Sequence, residues 1–166
     1  MKINIRKATP EDAEGVCAIL NPIIREGKQT VLDREYTPEE EAQFITNFSK
    51  RGIFLVAETD GKILGFQTME PYAGYTKAFD HVGIAGTYVL EGCRGLGIGK
   101  QLFAKLCEMA PALGYEKIFT YILANNKQSI GYYTNLGFRI IGIAEKQAKI
   151  KGRYEDEVLV EYFFAR

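Results

Sequence analysis

Residues 91–100 constrain the fold most, because they place four glycines between a strand pattern and a helix pattern. Residues 88–90 (Tyr-Val-Leu) are typical of a β-strand, and apolar residues recur at helical spacing from Ile98 onward. Unpartnered backbone N–H groups and the helix dipole converge where such a helix begins, and glycine lets an anion approach closely. The segment therefore predicts a phosphate-binding turn in an α/β protein, where Arg94 and Lys100 add local positive charge.

Two common nucleotide-binding motifs do not fit this turn. A Walker loop needs a glycine where Arg94 stands and a serine or threonine where Gln101 stands. A dinucleotide-binding fingerprint needs a glycine at Lys100 or at Leu102. The pattern that does fit is the acyl-CoA loop Q/R-x-x-G-x-G/A, over residues 94–99.

Strand and helix signals along the chain predict a mixed central sheet in the order β-α-α-β-β-β-α-β-α-β-β, within one domain over residues 1–166. The predicted strands lie around Ile3 and Ile5, at 53–59, at 63–69, up to 88–90, and at 117–123, 138–144 and 157–164. The predicted helices follow Thr9 as far as Gly27, follow Thr37 as far as Lys50, and occupy 98–110 and 126–136. A polar loop containing Lys149, Lys151, Gly152 and Arg153 is predicted between the last two strands.

Composition narrows the class of partner. The 21 basic and 21 acidic side chains cancel, which argues against a broad nucleic-acid-binding surface. No uncharged run approaches the roughly 20 residues of a membrane span, so we expect no membrane partner. The three cysteines form no CxxC pair, so we expect no metal site and a reducing, cytoplasmic location.

A second motif lies near the end of the chain, where residues 126–138 match N-x-x-A/S-x-x-x-Y-x-x-x-G-F. With the acyl-CoA loop, the start at residues 5–13 and the hairpin in the family's order, the chain resembles the GNAT superfamily of N-acetyltransferases. Asn21, residues 25–27 (Arg-Glu-Gly) and residues 152–156 (Gly-Arg-Tyr-Glu-Asp) are similar to the phosphinothricin acetyltransferase-like branch. The resemblance implies the GNAT (acyl-CoA N-acyltransferase) fold.

The resemblance also implies a function and a site. Acetyl-CoA would be the co-substrate, without a metal, and a small amine such as an amino acid or analogue would attack directly in a ternary complex. Relatives of this type often form homodimers. The residues implied to contact acetyl-CoA are Tyr88, Val89, Leu90, Arg94, Gly95, Leu96, Gly97, Ile98, Gly99, Lys100, Asn126 and Ser129.

Tyr133 is implied as the catalytic acid that protonates the leaving thiolate. Asn126, Ser129 and Tyr133 are three and four residues apart, so they project from one helix face. Tyr132 is adjacent to this face and is expected to serve packing or substrate contact instead.

The general base is the point of departure from the family pattern. The branch carries a glutamate where this chain has Ile84, which cannot accept a proton. Glu70, Asp80 and His81, the last acting through water, are the substitutes that the sequence offers.

Three alternatives accompany this interpretation. Cys93 lies beside Arg94 at a helix start and could carry the acetyl group, but it has no histidine signature beside it, so direct attack is favoured. The basic loop at 149–153 is either solvated or borders the acceptor pocket. At the level of function, a non-catalytic acyl-CoA-binding or regulatory module and a protein N-acetyltransferase remain open.

Overall fold

The computed structural model describes residues 2–165, and its elements follow the predicted order. The strands are β1 (Asn4–Lys7), β2 (Ile53–Thr59), β3 (Lys62–Pro71), β4 (Val82–Val89), β5 (Lys117–Leu123), β6 (Arg139–Ile150) and β7 (Arg153–Phe163). The helices are α1 (Ala13–Glu26), α2 (Pro38–Thr46), α3 (Ile98–Met109) and α4 (Lys127–Asn135). Short 3-10 turns at Pro10–Asp12 and Pro111–Leu113 accompany them. The predicted α/β order is confirmed.

The strands form one seven-stranded sheet in the order β1-β2-β3-β4-β5-β7-β6. Every neighbouring pair is antiparallel except β4 and β5, which are parallel. This parallel pair has only two register matches, Val82 with Lys117 and Gly83 with Ile118, after which the two strands diverge. A gap therefore opens in the middle of the sheet, toward the ends of β4 and β5.

Alternating strand residues supply two cores, one on each face of the sheet. Ile53 and Leu55 of β2 pack with Leu102 and the rest of the α3 side, whereas Phe54 and Val56 pack with α1 and α2. This is the period of two expected of a strand that is covered on both faces. Of the helices within residues 2–165, none is both long and apolar enough to cross a membrane.

The α2 helix is shorter than predicted. It begins as expected at Thr37, whose hydroxyl accepts from the Glu40 amide at 3.2 Å while the Glu40 carboxylate accepts from the Thr37 amide at 2.9 Å. It ends at Thr46 instead of Lys50. The ring of Phe48 turns back to pack edge-on against Phe54, at 5.2 Å between ring centroids. Aromatic packing therefore wins over helix propensity in the last turn.

The C-terminal strands are longer than predicted. The expected polar loop is too long, because Lys149 pairs with Tyr154 and Ile150 pairs with Arg153 in the strand ladder. Only Lys151 and Gly152 form the turn, both at positive φ (49° and 81°). Exposed strands of a hairpin tolerate charged side chains on their solvent face, so the polar residues do not mark a loop.

Candidate functional site

The gap between β4 and β5 joins two cavities. A large cavity of about 600 Å³ lies between the loop before α3 and the α4 helix. A small cavity of about 250 Å³ lies on the α1 face of the sheet, under residues 29–32. Both cavities are lined by Gln29, Thr87, Tyr88, Asn126, Ser129 and Tyr133. A ligand in each cavity would therefore meet the other at the gap.

The loop before α3 is shaped to receive an anion. Gly97 caps the helix in the left-handed conformation (φ 78°), and the first intrahelical bond runs from the Gln101 amide to the Gly97 carbonyl at 3.1 Å. Helix geometry thus leaves the amides of Ile98, Gly99 and Lys100 unused within the helix. A Cβ on Gly97 would have nothing within 4 Å. These amides border the large cavity, and unused amides at a helix N-terminus are groups that bind phosphate.

Most of the predicted cofactor residues come together around the large cavity. Its lining includes Tyr88, Val89, Arg94, Gly95, Gly97, Ile98, Gly99, Lys100, Asn126, Ser129 and Tyr133. Leu90 and Leu96 are not among its lining residues. The Leu90 amide donates to the Leu64 carbonyl of β3 at 2.8 Å, and the Leu96 side chain is 56% exposed.

The edge of β4 at the gap offers backbone groups for an added strand. The Ala85 carbonyl points toward β5, since it accepts from the Thr120 hydroxyl at 2.9 Å. Backbone groups alternate in direction along a strand, so those of Thr87 and Val89 point toward the gap as well. The gap therefore presents the Thr87 and Val89 amides, whereas Leu90 faces β3.

Tyr133 is enclosed at the junction of the two cavities. Its side chain is 7% exposed, and burial raises its pKa to about 12, while the neighbouring Thr87 hydroxyl acts in the opposite direction. Thr87 in turn accepts from the Gln67 side-chain amide at 2.8 Å. A phenol in this setting keeps its proton at neutral pH and can donate it.

Tyr132 has a different position from its neighbour. Its hydroxyl donates to the Gly99 carbonyl at 2.9 Å, which ties α4 to the first turn of α3. The ring also lies 2.8 Å from where a Cβ of residue 99 would be, so only glycine fits there without a shift. Burial raises the pKa of Tyr132 as well. Its contacts are those of a residue that holds the loop in place.

Asn126 begins the α4 helix. Its side-chain oxygen accepts from the Ser129 amide at 3.1 Å, which is a typical N-cap. The nitrogen of the same amide group stays available to a ligand, and Ser129 lines the cavity one turn further along. The predicted face of Asn126, Ser129 and Tyr133 is therefore assembled at the cavity wall.

The three candidate general bases, Glu70, Asp80 and His81, lie in different parts of the structure. Glu70 pairs with Ile84 across β3 and β4, so the two side chains lie next to each other on the same face, and both line the small cavity. Asp80 is bound to Arg51 at 3.6 Å, and His81 is exposed at the opposite end of β4 from the gap. Only Glu70 belongs to the cavity.

A second carboxylate of the small cavity escaped sequence reasoning. Glu157 on β7 is 4% exposed and lines the cavity opposite Tyr88. Burial raises the pKa of both Glu157 and Glu70. A glutamate within a strand gives no local sign that it faces a cavity, because that depends on how far β5 and β7 lie from β4.

The structure also places Cys93 and the basic loop at 149–153 relative to the cavities. Cys93 follows the end of β4, whereas His81 precedes its start, so the strand's length of about 26 Å separates them. That spacing gives Cys93 no histidine base. Lys151 donates to the Arg25 carbonyl at 3.0 Å, and residues 149–153 are not among the lining residues of either cavity. Within residues 2–165 no group of three or more His, Cys, Asp and Glu side chains is placed to hold a metal ion.

Comparisons with known proteins identify similar acetyltransferases. An L-methionine sulfoximine/L-methionine sulfone acetyltransferase from Pseudomonas aeruginosa is 30% identical over 164 residues, covering 94% of this chain and 91% of that protein. Phosphinothricin N-acetyltransferase from Streptomyces coelicolor is 28% identical over 159 residues, covering 93% of this chain and 92% of its own.

Solved structures share the fold. An N-acetyltransferase from Staphylococcus aureus Mu50 superimposes with a TM-score of 0.90 at 26% identity, covering 99% of this chain and 100% of that one. A phosphinothricin acetyltransferase from Sinorhizobium meliloti, solved with acetyl-CoA, gives a TM-score of 0.89 at 22% identity, covering 99% and 90%. The Acetyltransferase (GNAT) family matches residues 17–138. Because the family match, the relatives in sequence and structure, and the acyl-CoA loop agree, the chain belongs to the acetyltransferase (GNAT) family.

Proposed function

We propose that this acetyl-CoA-dependent N-acetyltransferase acetylates the amine of a small molecule that enters the small cavity and attacks directly, in a ternary complex. The observation that carries the proposal is the meeting of two cavities at Thr87, Tyr88 and Tyr133. One cavity has the phosphate cradle of the family, and the other holds carboxylates that suit an ammonium. Direct attack fits, because the cavities share lining residues and the two ligands would therefore lie next to each other.

The large cavity would hold acetyl-CoA. The amides at the start of α3 would bind the pyrophosphate, and Arg94 and Lys100 would add charge. The β4 edge would take the pantetheine arm like an added strand through the Val89 amide, and the Asn126 side-chain nitrogen would bind it from the other wall.

The chemistry then divides among few groups. Acetyl-CoA, when bound, supplies an activated acyl group as a thioester. The Val89 amide at the gap is placed to stabilise negative charge on the acyl oxygen. Tyr133 keeps its proton at neutral pH and donates it at the leaving sulfur. A carboxylate of the small cavity, Glu70 or Glu157, would take the proton that the acceptor ammonium loses before its nitrogen attacks.

The acceptor class is supported by the relatives. The proteins from Pseudomonas aeruginosa and Streptomyces coelicolor are named for acetylating L-methionine sulfoximine and phosphinothricin. L-methionine sulfoximine is an α-amino acid derivative. Amino acids and their analogues therefore belong in the first set of acceptors to test.

The test is release of free thiol from acetyl-CoA in the presence of amino acids, diamines, polyamines and peptides, with an amine-free reaction as the control. We expect release above the control with at least one small amine. Acetyl-CoA binding without release across the whole panel would overturn the proposal in favour of a CoA-binding module. Release with peptides alone would overturn it in favour of a protein acetyltransferase.

Three further expectations stay predictions. They are one domain over residues 1–166, a homodimer and a cytoplasmic location. The dimer draws support from an apolar surface on the edge strand β6, where Ile140, Ile141 and Ile143 are 52%, 45% and 63% exposed.

A further inference from the structure

The two cavities carry opposite charge. The large cavity is lined by Arg94, Lys100 and Lys127, as an anionic cofactor requires. In the part of the chain that the structure describes, the small cavity is lined by Glu70 and Glu157 and by no lysine, arginine or histidine. The acceptor side of the protein is therefore built for positive charge.

Of the two carboxylates, Glu157 gives the stronger indication of a cationic ligand. It is 96% buried, and no donor from residues 2–165 forms a hydrogen bond or ion pair with its carboxylate. Glu161, four residues further along β7 and equally buried, is instead neutralised by Lys117 and Arg139. Because the Glu157 oxygens face the open space of the small cavity and have no protein donor there, a cation that contacts them would have to come from a ligand.

The strand register sets the two carboxylates at different depths. Counting from the match of Gly83 with Ile118, Tyr88 is level with Leu123, the partner of Glu157. Glu70 is level with Ile84, four residues earlier on β4. Four strand residues correspond to about 13 Å, so Glu157 lies level with the junction of the cavities and Glu70 lies about 13 Å farther along the strand direction, toward the start of β4.

We propose, resting on the proposed function, that the acceptor carries two positive charges: its reacting ammonium contacts Glu157, which takes the proton that the nitrogen loses before it attacks, and a second cationic group contacts Glu70. A diamine, a polyamine or an amino acid with a cationic side chain has this chemistry. Ile84 leaves an apolar wall beside Glu70, against which the methylene chain between the two charges would pack. The raised pKa of both glutamates, caused by burial, is what carboxylates show before a cation neutralises them.

The test compares α,ω-diamines of four to ten carbons with monoamines of the same carbon count. For the best chain length we expect kcat/KM for the diamine to exceed that for the monoamine about tenfold or more, since one ion pair of about 1.4 kcal/mol gives a factor of ten. Glu70→Gln should abolish this preference, because the second cationic group then has no carboxylate to contact. Glu157→Gln should lower kcat/KM for both amines.

Glu108→Gln on the exposed face of α3 is the matched control, because it removes one negative charge away from both cavities. It should keep the diamine preference. Calorimetric titration of diamine and monoamine into the protein with CoA gives a second readout that needs no turnover. We expect the diamine to bind more tightly and Glu70→Gln to remove the difference.

The possible outcomes distinguish a failure of this inference from a failure of the proposed function. Thiol release with monoamines and diamines alike, without a preference, overturns the inference and leaves the proposed function intact. A diamine preference that survives Glu70→Gln overturns the assignment of Glu70. If no amine releases thiol, the proposed function fails, and the calorimetric difference alone then supports or overturns the dicationic site.

Discussion

Two adjacent phenols on α4 have separate tasks because a helix turns about 100° per residue. Tyr133 faces the junction of the two cavities, and Tyr132 bonds to the Gly99 carbonyl. Both have a raised pKa because both are buried. A raised pKa alone therefore does not identify the catalytic acid. Only the position of each hydroxyl distinguishes Tyr133 from Tyr132.

Tyr133→Phe is expected to lower kcat by about 100-fold, the lower range for loss of a general acid, with little change in acetyl-CoA affinity. The ring stays in place, so packing is preserved and only the proton is lost. Steady-state rates and calorimetric titration of acetyl-CoA measure the two effects.

Tyr132→Phe is the matched variant. Removing its hydrogen bond to Gly99 should cost about 1 kcal/mol of unfolding free energy and leave the rate of the bound complex nearly unchanged. Equal rates for Tyr133→Phe and the parent protein would remove Tyr133 from the acid role.

The sequence identified the Tyr133 face but not the second carboxylate. Asn126, Ser129 and Tyr133 have helical spacing, which is a local property that a sequence displays. Glu157 faces a cavity only because β4 and β5 diverge. That divergence is a property of distant strands, and no window of residues around Glu157 contains it.

At the scale of elements, α3 begins just after Gly97, which has a positive φ and open space where a side chain would be. Gly97→Glu should abolish acetyl-CoA binding, because a negative side chain would occupy the position proposed for phosphate. Gly97→Ala separates charge from conformation: its positive φ should cost about 1 kcal/mol of stability and weaken binding only moderately. Calorimetric titration measures both, and unchanged binding in Gly97→Glu would contradict the phosphate assignment.

Three neighbouring strands share one buried carboxylate. Glu161 of β7 pairs with Lys117 of β5 and Arg139 of β6, which lowers its pKa below the usual value. A pKa lower in the folded than in the unfolded state stabilises the fold above the unfolded pKa of about 4.5, and this stabilisation is lost as pH falls through the folded pKa.

Glu161→Gln tests this pH dependence. The difference in Tm between the parent protein and the variant should be largest near pH 7 and should shrink below about pH 4. Thermal unfolding followed by circular dichroism across pH 3–8 measures it. A difference that stays constant over this range would show that the ion pairs contribute nothing to the acid sensitivity.

The boundaries of elements were less predictable than their order. Helix starts such as Thr37 carry a local capping signal, whereas the end of α2 depends on where Phe48 finds aromatic neighbours. In the same way, Lys149 and Arg153 have polar side chains that indicate a loop, but their backbones pair within the last hairpin. Tertiary contacts decide both cases.

At the scale of the whole molecule, the exposed isoleucines of β6 predict self-association. If this edge forms the proposed homodimer, Ile143→Lys should convert dimer to monomer, since it places a charge in the apolar contact. Tyr75→Lys, at an 84% exposed position outside β6, is the control and should leave the dimer intact. Light scattering after gel filtration measures the mass, and a monomeric parent protein at micromolar concentration would contradict the proposal.

The sheet has two parts, β1–β4 and β5–β7, which pair with each other only at Val82 and Gly83. Past Gly83 the central strands share no register match, so Thr87 and Val89 have the exchangeable amide hydrogens of an edge strand although they lie near the centre of the molecule. A ligand bound in the gap between β4 and β5 would pair with these backbone groups and connect the two parts of the sheet. The bound co-substrate would therefore complete the sheet at its centre, beside the cavity proposed for the acceptor.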